Sequence, residues 1–319
     1  MSIPHQATLA DVGEFGLIAE LVSHFPQGEQ VLVGPGDDAA LLRIKQGHVV
    51  VSTDLLVEGR HFRRDWCEAS DVGHRAAAQN LADVAAMGGT AHSLTIGLAA
   101  PAELPARWAL EFAQGFAEEC GLVGASVVGG DLTRASEVVV SVTVIGAVTK
   151  APVLRSGANP GDVLALCGRQ GWAAGGLAIL GRGFRSPRVL VEAYRRPEPP
   201  YAAGPAAAEA GATAMIDVSD GLLADAGHIA ADSGVAIDVH TAALDVPEPL
   251  HAVASATGAD PLTFVLGGGD DHALLATFPA DAALPDGWSI IGSVAEQGEG
   301  PIVTVDGEEY EGPTGWTHF

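Results

Sequence analysis

One nonapeptide pattern occurs in each half of the chain: Gly34-Pro-Gly-Asp-Asp-Ala-Ala-Leu-Leu42 and Gly267-Gly-Gly-Asp-Asp-His-Ala-Leu-Leu275, identical at seven of nine positions. Each copy follows a short apolar run, Val31–Val33 or Phe264–Leu266, which reads as a strand ending in a glycine turn. The glycines constrain the backbone. The two adjacent carboxylates constrain the surroundings, because they repel each other unless a cation lies beside them. A hard divalent ion with oxygen ligands meets that need. Either copy alone reads as an ordinary surface turn, for which Gly and Asp are common.

Other apolar runs lead into aspartates as well. Val49–Val51 runs into Ser52-Thr-Asp54, Val127-Val128 into Gly129-Gly-Asp131, and Met215-Ile216 into Asp217-Val-Ser-Asp-Gly221; Asn80-Leu-Ala-Asp83 adds one from a helix. Sheet-based folds gather ligand sites where strands end, so aspartates at several such ends can converge. All of these positions are Asp, although the chain holds 19 glutamates. Short carboxylates beside glycines hold metal oxygens with little rotamer freedom, and glycine lets a phosphate approach the backbone. The set suits Mg²⁺ holding a polyphosphate.

Charge narrows the partners. Forty acidic residues against sixteen basic give a formal charge of −24, which disfavours nucleic acid and anionic membranes. Polyphosphate remains open if divalent cations bridge the two sets of negative charge. With 319 residues, 48% of them hydrophobic, two domains are expected. No apolar stretch reaches the length of a membrane span, and Met1-Ser-Ile-Pro-His-Gln lacks a basic, then apolar, leader pattern. A soluble, cytoplasmic protein is expected. Cys67, Cys120 and Cys167 are odd in number and far apart, which argues against a disulfide framework or a zinc knuckle.

Periodicity predicts helices over 14–25, 70–87, 106–120 and 221–232. It predicts strands over 30–34, 47–52, 93–98, 125–128, 138–148, 163–167, 214–218, 235–239, 264–266 and 274–278. The result is a mixed α/β (α+β) chain. Lys150-Ala-Pro-Val with Asn159-Pro-Gly-Asp162 is the strongest break, so the domains are expected at 1–150 and 151–319. Gly175–Gly181 reads as a small-residue helix packing closely rather than as a phosphate cradle, Arg195-Arg-Pro-Glu-Pro-Pro200 as a stiff connector, and Asp162 as a turn residue.

Competing templates fail on residues. A Walker loop needs Gly-Lys-Ser/Thr, and neither Lys45 nor Lys150 follows a glycine. Gly34-x-Gly36-x-x-Ala39 mimics a dinucleotide fingerprint but puts Asp37 and Asp38 where a pyrophosphate belongs. Gly-x-Ser-x-Gly, His-Glu-x-x-His and EF-hand spacings are absent.

Five motifs in order resemble the thiamine-monophosphate kinases, part of the ATP-binding superfamily that includes aminoimidazole ribonucleotide synthetase. They are Gly36-Asp-Asp-Ala-Ala40, Ser52-Thr-Asp-Leu-Leu-Val-Glu-Gly-Arg-His-Phe62, Asn80-Leu-Ala-Asp-Val-Ala-Ala-Met-Gly88, Gly129-Gly-Asp131 and Ile216-Asp-Val-Ser-Asp-Gly-Leu222. The resemblance implies Mg²⁺-dependent transfer of the ATP γ-phosphoryl group to thiamine monophosphate, directly and in line. It implies several Mg²⁺ ions on Asp38, Ser52, Thr53, Asp54, Asp83, Asp131, Asp217 and Asp220, and ATP against Gly130, Asp131, Arg155 and Ser219. Thiamine phosphate is implied at His61, Asp270 and Trp316, with no catalytic acid or base. It also implies an N-terminal sheet that pairs across a homodimer and a C-terminal α/β domain closing over the nucleotide. The chemistry agrees with the residues, since a phosphate acceptor is already anionic and needs no general base. Outside that activity stand a superfamily synthetase acting on another acceptor and a non-catalytic nucleotide or thiamine-phosphate binder.

The chain departs from the resemblance in places. Its second turn reads Asp270-Asp-His272-Ala273 where the family usually shows Glu-Asp-Tyr-Glu, and Leu132 follows Gly-Gly-Asp where threonine is common.

Overall fold

Residues 6–33, 41–43 and 48–316 are described by the computed structural model. The chain divides into two units, Met1–Val84 with Thr90–Lys150, and Ala85–Gly89 with Ala151–Phe319. The first Gly-Asp-Asp turn, including Asp38, lies outside the described residues.

In the first unit α1 (Leu9–Val12) and α2 (Glu14–Val22) precede a two-stranded ribbon of β1 (Val31–Val33) and β2 (Leu41–Leu42). There follow β3 (His48–Val57), α3 (Ala69–Ala86), β4 (Thr90–Ala100), α4 (Ala106–Val123), β5 (Ser126–Arg134) and β6 (Val139–Val148). The main sheet runs β3-β6-β4-β5, antiparallel except for the parallel β4–β5 pair. Its two faces differ because the sequence alternates. Val140, Val142 and Val144 of β6 are buried, as are Leu94 and Ile96 of β4. Between them Ser141, Thr143 and Ile145 stay half-exposed on the other face.

Helices α3 and α4 supply the cover by crossing at glycines. A Cβ on Gly115 would lie 2.0 Å from the Ser70 carbonyl oxygen, and one on Gly73 would lie 2.1 Å from that of Phe112. Only hydrogens fit at this crossing.

Two motifs sit differently from expectation. Ser52-Thr-Asp54 and Gly129-Gly-Asp131 are not turns after strands but lie within β3 and β5. The reason for the first is pairing: β6 continues opposite β3 through all ten residues, from His48 facing Val148 to Val57 facing Val139. For the second it is close approach, since a Cβ on Gly130 would lie 2.1 Å from the Ile96 carbonyl oxygen.

The second unit holds β7 (Val163–Cys167), α5 (Trp172–Gly181), α6 (Arg188–Arg195), α7 (Ala203–Glu209), β8 (Ala214–Val218) and α8 (Leu222–Ser233). It continues with β9 (Val235–Val239), α9 (Glu248–Thr257), α10 (Pro261–Gly267), β10 (Ala273–Phe278), β11 (Trp288–Glu296) and β12 (Val303–Val305). Its sheet order is β12-β9-β11-β7-β10-β8, antiparallel except for β12–β9. All six residues of β10 are buried. Ala273 and Leu275 join one core with Leu222, Ala226 and Ile229 of α8, while Leu274, Ala276 and Phe278 join another with Ala207 of α7. Burial on both faces explains why this strand is apolar but for Thr277, whose hydroxyl is hydrogen-bonded to that of Thr213.

Phe264–Leu266 is helical, against the expected strand. Asp260 caps α10 through its side chain, accepting the Leu262 N–H at 2.9 Å, and Pro261 takes the first helical position. The twin nonapeptides therefore follow different elements. Gly175 and Gly176 of α5 pack on Leu190 of α6, as expected for a small-residue helix. Asp162 accepts from the Asn159 backbone and the Thr213 hydroxyl, a turn role.

Replacing Gly115 by valine forces a side chain against the backbone of α3, with an expected cost of about 2 kcal/mol or more. A melting temperature equal to that of the parent protein, followed by circular dichroism, refutes this account of the crossing.

Candidate active site

In the second unit β8 carries Asp217 and ends at Val218, after which Ser219, Asp220 and Gly221 turn into α8. The turn is tight because of its neighbours. Gly221 has φ +148°, and a Cβ on Gly269 would lie 2.1 Å from the Ser219 carbonyl oxygen. The segment after α10 is thereby pressed on this turn: the Asp270 N–H donates to Ser219 O at 2.9 Å and the His272 N–H to Val218 O at 3.2 Å. Asp270 and His272 take left-handed φ values of 66° and 52°. Non-glycine residues hold such conformations where the surroundings enforce them, often at functional sites.

The C-terminal tail joins the same place. Thr314 accepts from the Ala224 N–H, and the Trp316 N–H donates to Asp220 O at 3.0 Å. Its indole is 65% exposed. The structure thus brings together five of the expected residues: Asp217, Ser219, Asp220, Asp270 and Trp316. Arg155 stands apart from them. Its carbonyl accepts from Ser233 Oγ at the end of α8, and the neighbouring Leu154 carbonyl accepts from Met215 at the start of β8. Ser219 follows the other end of that strand.

The sequence reading passes over Asp225 and His228 and quotes Asp271 and His272 only as part of the second turn. Asp225 Oδ2 accepts the Asp220 and Gly221 N–H groups at 3.1 and 3.0 Å. Asp220, Asp225 and His228 offer ligand atoms within 4.8 Å of one another. Helical spacing of Asp225 and His228 was the available signal. Burial pushes the Asp225 carboxyl up to about 7; its two N–H donors oppose this, and the charges of Asp217 and Asp220 add to it. Buried His272 places Nδ1 3.0 Å from Asp217 Oδ2. Asp271, also buried, accepts the Ala173 N–H through Oδ1 at 2.9 Å, at the start of α5. Its Oδ2 has no partner among the described residues.

The first unit holds the rest. Ser52 donates to Asp83 Oδ2 at 2.5 Å, linking β3 to α3, and Thr53 Oγ1 lies 2.8 Å from Thr143 Oγ1. Strand register sets Asp54 in a row with Val142, Ile96 and Gly130, and Asp131 in the next row with Leu55, Ser141 and Gly97. Adjacent rows of a pleated sheet present side chains to opposite faces, so Asp54 and Asp131 start from different faces. His61 lies in the turn after β3, where its Nδ1 accepts the Val57 N–H at 3.0 Å.

The donors fit a hard cation. Carboxylates and hydroxyls dominate both groups, whereas the soft ligands Cys67, Cys120 and Cys167 are buried elsewhere. The mutual crowding of Asp217, Asp220 and Asp225 is an electrostatic state that a divalent cation held there would relieve.

Comparison with known proteins bears on both units. Residues 36–148 match the family described as AIR synthase related protein, N-terminal domain, and residues 159–309 match its C-terminal domain. A curated thiamine-monophosphate kinase of Mycobacterium tuberculosis is 50% identical over 98% of this chain and 93% of its own. The crystal structure of thiamine-monophosphate kinase from Stenotrophomonas maltophilia superposes with a TM-score of 0.81 at 33% identity, covering 93% of this chain and 98% of that one. AaThiL complexed with AMPPCP and TMP gives 0.78 at 32% identity, covering 99% and 100%.

Asp271 also makes a pH prediction. Its carboxyl ionises near 3.8 when unfolded, but burial raises this to about 7 in the folded chain. The folded state then holds an extra proton between those values, so this residue lowers stability as pH rises through that window. In urea titrations at pH 5 and pH 8, Asp271→Asn is expected to lose less stability over that rise than the parent. An equal loss in both contradicts the burial effect.

Proposed function

The chain belongs to the thiamine-monophosphate kinase family, and on that premise we propose that it transfers the γ-phosphoryl group of ATP to thiamine monophosphate, giving thiamine diphosphate and ADP. The observation that carries this is likeness to curated kinases of that name over nearly the whole chain. In the first unit Ser52, Thr53, Asp54, Asp83 and Asp131 are assigned to Mg²⁺, with Asp38 beside them in the assignment though outside the described residues. In the second unit Asp217 and Asp220 take that role. Gly130, Asp131, Arg155 and Ser219 are assigned to ATP, and His61, Asp270 and Trp316 to thiamine phosphate. We infer the location to be the cytoplasm; among the described residues no helix is long and apolar enough to cross a membrane.

The residues act by holding rather than by proton transfer. The acceptor phosphate is an anion already, so no side chain must deprotonate it. Bound Mg²⁺ neutralises polyphosphate charge and polarises the phosphoryl oxygens. Ser52, clamped on Asp83, offers its oxygen in a fixed rotamer. The exposed Trp316 indole offers a flat apolar surface beside Asp220, suited to an aromatic heterocycle.

A homodimer belongs to the same proposal. On the uncovered face of the first sheet Val49, Val51 and Leu55 are 52%, 60% and 53% exposed. Aliphatic side chains in such a row favour a second copy of the same face.

Incubation with ATP, Mg²⁺ and thiamine monophosphate is expected to yield thiamine diphosphate. Binding of both substrates without transfer, under any divalent metal, refutes the kinase. Asp54→Asn and Asp131→Asn are each expected to lower turnover on the order of 100-fold with the melting temperature held. Near-normal turnover in either removes that residue from the set. Light scattering is expected to report twice the chain mass, and the chain mass for Val51→Glu/Leu55→Glu; a monomeric parent overturns the dimer.

A further inference from the structure

His272, in the second Gly-Asp-Asp turn, is buried at 5% exposure against Asp217, also at 5%. A carboxylate only accepts hydrogen bonds, so the 3.0 Å contact requires the proton on His272 Nδ1. The backbone keeps the imidazole there by two means: φ is +52°, and the His272 N–H is tied to Val218 O, one residue beyond Asp217 on β8. The same turn carries Asp270, itself tied to Ser219 O. One three-residue segment therefore touches both the strand that presents Asp217 and the residue assigned to the acceptor.

We propose that His272 is a positioning residue: by donating Nδ1–H to Asp217 Oδ2 it fixes the rotamer of that carboxylate for a divalent cation, and so couples metal affinity to the segment that carries Asp270. Occupying Oδ2 commits one oxygen of Asp217 to the protein and sets the plane of the carboxylate. Hydrogen-bond partners of ligands commonly govern metal affinity in this way. The inference rests on the assignment of Asp217 to Mg²⁺.

The test is Mn²⁺ binding to the full-length, nucleotide-free protein, read from the electron paramagnetic resonance signal of free Mn²⁺, with the melting temperature measured alongside. His272→Asn places an amide N–H near the position of Nδ1, whereas His272→Gln places it near Nε2, and His272→Phe removes the donor. His272→Phe and His272→Gln are expected to weaken Mn²⁺ binding on the order of 10-fold, and His272→Asn by less than about threefold. The Mg²⁺ concentration for half-maximal activity should separate the variants in the same order. Equal affinities for the Asn and Gln variants overturn the proposal, even if His272→Phe does not fold. Asp217→Asn separates the premise from the inference. If it binds Mn²⁺ like the parent, the metal role of Asp217 falls. If it binds weakly while His272→Gln binds normally, that role stands and His272 alone is excluded.

Discussion

Buried negative charge is the constraint around which the second unit is arranged. Asp217, Asp225 and Asp271 are each at most 5% exposed, and Asp217 and Asp225 follow in quick succession along the chain. A buried carboxylate is costly unless it is hydrogen-bonded or protonated. Each has a different answer here: Asp217 takes the His272 imidazole, Asp225 takes two backbone N–H groups, and Asp271 takes backbone N–H at the start of α5 through Oδ1 while its Oδ2 has no partner among the described residues. Burial lifts the Asp225 and Asp271 carboxyls to about 7. Satisfying these groups is what pins the turn after β8, the start of α5 and the Asp270–His272 segment to one another.

The two units meet the demand for cover in different ways. In the second, an apolar run such as β10 is enclosed on both faces, and the sheet serves as an inner layer. In the first, strict alternation along β6 covers one face with helices and leaves valines and a leucine of β3 in the open. The glycine crossing of α3 and α4 brings that cover close to the strands. Ser52 reaches Asp83 across the same packing, so the polar contact depends on an apolar fit.

Periodicity made most elements legible, because β-branched alternation and helical spacing are local signals. It failed at Phe264–Leu266, where three apolar residues suit either a strand or a helix and the Asp260-Pro261 start decides for the helix. It also failed at Ser52–Asp54 and Gly129–Asp131, where glycine and aspartate looked like turn residues while long-range pairing with β6 and β4 kept the strands going. The resemblance named Asp217, Ser219, Asp220, Asp270 and Trp316, and folding gathers them. The roles of Asp225, Asp271 and His272 stayed hidden because they are contacts with backbone or with residues distant in sequence. Arg155 shows the converse: a residue named by the resemblance but held by its backbone at the far end of β8.

Helix N-termini ordinarily offer bare amides to phosphate. Here the entrance to α8 is closed by the Asp225 carboxylate, and that of α5 by Asp271, so protein oxygens already occupy donors that a nucleotide could otherwise have used. A polyphosphate arriving alone at this end of the second unit meets like charge. On the proposed assignment of Ser219 to ATP, this geometry would disfavour the free anion and favour its chelate with a divalent ion.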